Sequence, residues 1–294
     1  MTLDQLRIFV AVAERQHVTR AAEALNLVQS AVSAAINALE TRHAVKLFHR
    51  VGRGIELTEA GGVFLGEARA VLARAQAAEL VLADLSGLRR GTLSVQASQT
   101  IASHWLPRHL VAFQAAYPDI ILRLSIGNTA EAAEAVRTGT AELAFVEGAI
   151  DDGSLASTPI VEDRLVLVVS PGHPLAGCAR PGRSDLASVS WVLREPGSGT
   201  RSAFEAAIVA LGIAPDALTV ALELPSNEAV LAAVVAGAGA SVLSEAVVGP
   251  SLRTEALVAV PFALPTRTFQ VLRHKERYRS RAADALFDLI RAAP

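Results

Sequence analysis

Four short stretches of this chain carry hydroxyl and amide side chains where a strand is expected to give way to a helix. They are Ser98-Gln99-Thr100, Asn128-Thr129 after Gly127, Gly197-Ser198-Gly199-Thr200, and Ser226-Asn227 after Pro225. Each would set neutral donors beside the unpaired N–H groups and the positive dipole end of a helix, which is the chemistry of an anion site. Any one of them alone would serve equally as an ordinary helix cap. Together they can converge, because ligands of open α/β folds sit at the carboxyl ends of the strands. Glu147 ends a further strand and is expected to face the same cleft. There it would accept from a hydroxyl or screen out extra negative charge.

A second set lies near the start of the chain. Gln29, Ser30, Ser33, Ala34 and Asn37 fall on one face of a helical segment whose other face is Ala31, Val32, Ala35, Ile36 and Leu39. A narrow helix with small and polar residues outward fits the DNA major groove and can hydrogen-bond base edges. Gly52 and Gly54 allow a tight ribbon tip, and Arg50 and Arg53 flank that tip, where they would reach phosphates or a minor groove.

The elements that must hold these groups follow from periodicity. Leu3, Leu6, Phe9, Val10 and Ala13 make a first amphipathic helix, and Ala21, Ala22 and Leu25 a second, joined to the DNA-reading segment by a tight connection at Asn26 to Val28. Leu47 to Gly61 reads as a β-ribbon wing, with Thr58 capping the helix that follows. In that helix Phe64, Ala68, Val71, Ala75, Ala78, Leu82 and Leu85 repeat at alternating spacings of four and three, the seam of a two-stranded coiled coil. Gly87 to Gly91 would be a hinge. Beyond it strands alternate with helices, with strands expected at 92–97, 120–126, 141–146, 165–169, 191–194, 220–224, 241–243, 257–260 and 268–273. That alternation implies parallel sheets with helices on both faces.

Helix, helix-turn-helix, wing and long helix, in this order, closely resemble the N-terminal domain of the LysR-type transcriptional regulators. The resemblance extends over the whole chain. It implies a winged helix-turn-helix at 1–60, a linker helix at 61–87, and a periplasmic-binding-protein-like effector domain at 91–294. That domain would have one subdomain at about 91–162 and 268–294 and a second at about 163–267, with crossovers near 162–165 and 265–268. The stretches Arg194 to Arg201 and Glu223 to Val230 resemble the regulators of sulfur assimilation and carbon fixation, which implies a small anionic effector. The chain departs from the family pattern at Val28, where a Ser or Thr cap is usual, at Ala34, where a basic or amide residue is common, and at His49, where an acidic residue is usual.

Composition bounds the alternatives. At 294 residues the chain has room for two or three domains. Net charge is +2 over 1–90 and −4 over 91–294, so DNA affinity must come from placed arginines and multivalency more than from a broad basic field. No apolar run reaches the length of a membrane span, no signal peptide opens the chain, and Cys178 is the single cysteine, so a cytoplasmic protein without a disulfide framework is expected. The seven histidines show no metal spacing, and no nucleophile elbow, zinc-protease motif or Walker loop is present. The expectation is therefore a regulator without catalytic residues, metal or cofactor. Its partners would be double-stranded promoter DNA, a small anionic effector and further copies of itself: a homodimer through the linker helix and a homotetramer through the effector domains. A cytoplasmic solute-binding or catalytic α/β protein with a helical N-terminus is the alternative.

Overall fold

The computed structural model describes residues 1–51, 54–85, 91–148 and 150–292. The chain packs as two compact units that divide near residue 88. The first begins with α1 (Leu3–Arg15), α2 (Val18–Ala24) and α3 (Gln29–His43). Helix α1 opens with a reciprocal cap in which Gln5 N–H donates to Thr2 Oγ1 at 3.2 Å and Thr2 N–H to Gln5 Oε1 at 3.0 Å. Asn26, at φ 53°, supplies the left-handed residue of the tight α2–α3 connection. Strands β1 (Phe48–Val51) and β2 (Gly54–Leu57) form the antiparallel wing, and α4 (Glu59–Leu85) follows. Thr58 caps α4 by accepting from Gly61 N–H at 3.0 Å.

The core of this unit is Leu6, Phe9, Val12, Ala21, Val32, Ile36 and Leu39, closed by Leu47 and Ala68. Ala31, expected on the apolar face of α3, is exposed, and the buried face instead ends on a carboxylate, Glu40. The first turns of α4 also differ from the expected seam. Phe64 lies 4.8 Å from the Phe9 ring and Ala68 is fully buried against α1, while Arg69 donates to Glu14 Oε1 at 2.8 Å. The helix therefore uses its first apolar positions within its own domain, because α1 offers the nearest apolar surface. Val71, Ala78 and Leu82 remain exposed. The Leu85 side chain and the hinge residues 86–90 lie outside the described residues.

The second unit begins with β3 (Gly91–Ser98), α5 (Gln99–His104), α6 (Leu106–Ala116), β4 (Ile120–Gly127), α7 (Thr129–Thr138), β5 (Leu143–Glu147) and β6 (Leu155–Asp163). The chain then crosses to β7 (Leu165–Val169), α8 (Arg183–Ser188), β8 (Ser190–Arg194), α9 (Gly199–Ala210), β9 (Thr219–Leu224) and α10 (Asn227–Val235). After β10 (Ser241–Ser244), α11 (Glu245–Arg253) and β11 (Val258–Val260) it returns through β12 (Arg267–His274) to α12 (Arg281–Ala292).

One lobe is built on a five-stranded sheet in the order β4-β3-β5-β12-β6. The other holds the antiparallel sheet β10-β7-β11 and the parallel pair β8-β9, linked by a bridge from Trp191 to Ala240. Each lobe has apolar clusters on both sheet faces: Leu93, Phe113 and Leu286 against Ala132, Val136 and Leu272 in the first, Trp191, Phe204 and Leu186 against Val230, Val234 and Leu243 in the second.

The sheets are mixed, which corrects the expectation of parallel sheets. Strands β3, β4 and β5 are parallel, but β12 runs antiparallel to both β5 and β6. The reason is the double crossover. The chain leaves the first lobe along β6 and re-enters along β12, so the two passes meet in opposite directions, with Arg267 opposite Asp163. Strand β6 was not expected at all. It is an edge strand carrying Pro159 at a register shift, and proline is confined to such edges and bulges.

Candidate functional site

In the first unit the outward face of α3 carries Gln29, Ser30, Ala34 and Asn37 exposed and Ser33 half-buried. None of the four polar side chains has a protein partner among the described residues, so all are free to contact a ligand. Arg50 stands exposed on β1 with no carboxylate beside it among the described residues. Arg53 and Gly52 lie outside the described residues. His49 faces Glu56 across the ribbon at 3.6 Å.

Positions of wing and α3 are coupled through Glu40. Its Oε1 accepts from Leu47 N–H at 2.9 Å and Phe48 N–H at 3.2 Å, and its Oε2 takes Lys46 Nζ at 2.6 Å. Burial pushes this carboxyl upward, but the Lys46 ammonium and the two backbone donors outweigh it and hold it below the ordinary glutamate value.

Val28 occupies the N-cap of α3 with extended backbone, makes no side-chain cap bond and is 68% exposed. Threonine there would accept from a free N–H of the first turn without disturbing any packing. Val28→Thr is expected to stabilise the N-terminal unit by about 0.5–2 kcal/mol. Slower amide exchange along α3 is the readout, and faster exchange would mean that the valine side chain itself is the better fit.

In the second unit the four anion-type turns do reach one seam between the lobes, but they divide in role. Asn128 is an ordinary cap: Glu131 N–H donates to its Oδ1 and its own N–H to Glu131 Oε2, both at 3.0 Å. Ser226 is another, accepting from Ala229 N–H at 3.0 Å. Ser98 and Ser198 also stand at cap positions, both buried, yet neither makes a cap bond. The Ser98 Oγ is buried with no hydrogen-bond partner.

Several groups expected to hold a ligand are instead bonded to each other across the seam. Asn227 N–H donates to Gln99 Oε1 at 2.6 Å and its Nδ2 to Thr100 Oγ1 at 3.0 Å. Its Oδ1 accepts from buried Arg194, whose Nε and Nη2 are held by Glu195 at 2.7 and 2.8 Å. The Ala130 N–H donates to Gly197 O at 3.2 Å. Two glycines permit that approach. Gly197 has φ +87°, and a side chain on Gly199 would come within 2.8 Å of Thr129 Oγ1 and 3.0 Å of Glu147 O.

At the crossover lies a charged cluster of which sequence reasoning named Thr129, Glu147 and Thr200 but missed Arg267, Asp163 and Ser244. Arg267, 5% exposed, donates through Nε to Asp163 Oδ2 at 2.7 Å and through Nη1 to Thr200 Oγ1 at 2.9 Å. Asp163 also accepts from Ser244 Oγ at 2.6 Å. Glu147 accepts from Thr129 Oγ1 at 2.9 Å and stands 3.8 Å from Arg267 Nη2, which is buried without a hydrogen-bond partner. Thr129, Glu147, Gly197, Gly199, Ser202 and Arg267 are among the residues that line a cavity of about 380 Å³.

A helix-turn-helix with a wing and an unpartnered polar helix face, on one chain with a two-lobed α/β domain holding a charged cavity, defines a DNA-binding protein with a ligand-binding domain. Comparison with known proteins makes the class specific. Residues 3–62 match the bacterial regulatory helix-turn-helix protein, lysR family, and residues 86–294 match the LysR substrate binding domain. The chain belongs to the LysR family and is a LysR-type transcriptional regulator with an effector-binding domain. It is 33% identical to a probable RuBisCO transcriptional regulator of Thalassiosira pseudonana over 98% of this chain and 96% of the relative. Its fold matches full-length CbnR, a LysR family regulator, with TM-score 0.70 at 24% identity, covering 99% of this chain and 98% of the other. It is also similar to the regulatory domain of Synechocystis PCC6803 CcmR in complex with 2-PG, at 26% identity and TM-score 0.63, over 69% of this chain and 97% of that one.

Proposed function

We propose that the effector of this regulator is a small anion held in the cavity beside Arg267. We further propose that the protein acts in the cytoplasm on double-stranded promoter DNA, as a homodimer paired through α4 that can double to a homotetramer. Gln29, Ser30, Ser33 and Asn37 are assigned to base edges, the Ala34 methyl to an apolar base contact, and Arg50 and Arg53 to the backbone or minor groove.

The anion rests on one observation above all. Arg267 lines the cavity, and its cationic Nη2 is buried without a hydrogen-bond acceptor. Leaving such a donor unmade costs about 1–3 kcal/mol, more for a charged group, and an oxygen of an anionic ligand would remove that cost. The starts of α7 and α9 border the same cavity through Thr129, Ala130 and Gly199, and add two positive dipole ends. The uncapped serines Ser98 and Ser198 leave further donors at the seam. The cavity draws its walls from both lobes and from the crossover, so a bound anion would favour one arrangement of the lobes and bias the DNA-bound state.

Calorimetric titration of the full chain with sulfate, sulfite, phosphate and short carboxylates tests this. Ser202→Leu, which puts bulk on the cavity wall without touching the hydrogen-bonded cluster, is expected to abolish the heat of binding and leave DNA mobility shifts intact. Unchanged anion binding in that variant would place the effector elsewhere.

Pairing through α4 is supported by Val71, Ala78 and Leu82, which the N-terminal core leaves uncovered; Leu82 is 68% exposed. Leu82→Asp would set a carboxylate in the seam, where it cannot be solvated. Light scattering is then expected to show smaller particles and weaker DNA binding, and an unchanged mass would end the assignment of this face.

A further inference from the structure

We infer that the effector carries a hydroxyl group, or is an oxyanion that keeps a proton, and that this hydroxyl sits between Glu147 and Arg267. The inference rests on the anion reading above and narrows it to a chemical class.

Glu147 Oε2 is occupied by the Thr129 hydroxyl, but its Oε1 accepts no hydrogen bond from the described residues. Across from Oε1, at 3.8 Å, is Arg267 Nη2, itself without a hydrogen-bond partner. That separation exceeds the 2.7–3.2 Å of a real N–H···O bond. Neither side chain can close it freely. Arg267 is pinned by Asp163 and Thr200 through its Nε and Nη1, and Glu147 is pinned by Thr129. A donor buried without a hydrogen-bond partner thus faces a carboxylate oxygen that accepts no hydrogen bond from the described residues, on two residues that line the cavity.

Only a group that both donates and accepts can satisfy the pair, and the hydroxyl is the smallest that ligands carry. A bare carboxylate or sulfate oxygen would satisfy Arg267 but bring a second negative charge against Glu147. An ammonium would satisfy Glu147 and be repelled by Arg267. The cluster holds two carboxylates, Glu147 and Asp163, around one guanidinium, so it offers no excess of positive side-chain charge to an unprotonated dianion. The ligand's charged end is better placed at the starts of α7 and α9, with its hydroxyl in the gap. The recognition is the kind that rejects analogues strongly: a site built around a ligand hydroxyl leaves its own polar groups unpaired when the hydroxyl is missing.

Calorimetry on the full chain with matched probes decides it. Glycolate against acetate, lactate against propionate, and phosphate (which keeps a proton at neutral pH) against sulfate each differ by the donor in question. The first of each pair is expected to bind about tenfold tighter or more. In Glu147→Gln, whose amide can donate to a bare oxygen, that ratio is expected to collapse toward one through tighter binding of acetate, propionate and sulfate. Should Glu147→Gln fail to fold, the three pairs in the parent protein decide alone. Equal affinities within the pairs would show water filling the gap in every complex and overturn the hydroxyl while leaving the anion site standing. A ratio that survives Glu147→Gln would also overturn it. If none of the six probes binds, the anion reading fails and the hydroxyl falls with it.

Discussion

Replacing Arg267 with leucine is expected to cost the C-terminal unit about 3–5 kcal/mol, the loss found when one partner of a buried ion pair is removed. The guanidinium is the only cation contacting Asp163 and Glu147 among the described residues, and both carboxylates are almost fully buried. Without it both would stay buried with no compensating charge. Both tryptophans, Trp105 and Trp191, lie in this unit, and Trp191 is wholly buried, so intrinsic fluorescence follows its unfolding alone. The fluorescence midpoint should fall by roughly 6–20 °C for a unit of this size. Adding Asp163→Asn to Arg267→Leu should recover part of the loss, since a neutral amide is cheaper to bury than an orphaned carboxylate. A midpoint within a degree or two of the parent would show that the cluster is solvated and the ion pairs contribute little.

Glu40→Ala is expected to destabilise the winged helix by about 2–4 kcal/mol. Two backbone donors, Leu47 N–H and Phe48 N–H, would lose their acceptor, each at about 1–3 kcal/mol. The Lys46 contact adds little, because that ammonium is 76% exposed. The same carboxylate sets a pH dependence. Its value in the folded chain lies below the ordinary 4.5, so its stabilisation is present above that pH and is lost as the pH falls through the lower, folded value. Glu40→Gln should therefore flatten the acid limb of the stability curve. Hydrogen exchange at the amides of Leu47 and Phe48 measures both effects. DNA affinity should fall with them, because these bonds fix where β1, and with it Arg50, stands relative to α3. If exchange at the two amides were unaltered in Glu40→Ala, the hydrogen bonds would not be what holds the wing.

The N-terminal unit was largely legible in the sequence, because three- and four-residue spacings and a glycine-bearing ribbon tip are local signals. Glu40 was missed although it follows Val32 and Ile36 at four-residue spacing on the buried face. A reading that follows apolar residues passes over a carboxylate that turns inward to serve backbone donors. In the C-terminal unit the strands after the linker were mostly visible, and β6 was not, since Pro159 breaks its pattern and its partner β12 lies more than a hundred residues away. The turns at Ser98, Asn128, Ser198 and Ser226 could be named from residue type. Which of them cap a helix, and which leave a hydroxyl idle, depends on distances that no spacing encodes. Arg267 stood between two threonines at a strand start, with nothing local to mark it as the hub of Asp163, Thr200 and Glu147. The only hint was a charged residue at the expected crossover.

Because Phe64 and Ala68 are built into the N-terminal core and Arg69 is tied to Glu14, α4 is joined stiffly to α1 and, through it, to α3. The helix has 27 residues, so at about 1.5 Å each it is a rod of roughly 40 Å. A rod fixed at one end works as a lever. A tilt of about 10° displaces its far end by roughly 7 Å, about two base-pair steps of 3.4 Å. Run the other way, a shift of a few ångströms imposed on that far end would turn the DNA-reading face by several degrees. In the proposed dimer the rigid root of α4 would act as a gear that converts small translations into changes of operator spacing, and softening it at Phe64 would loosen the spacing rule without altering which bases are read.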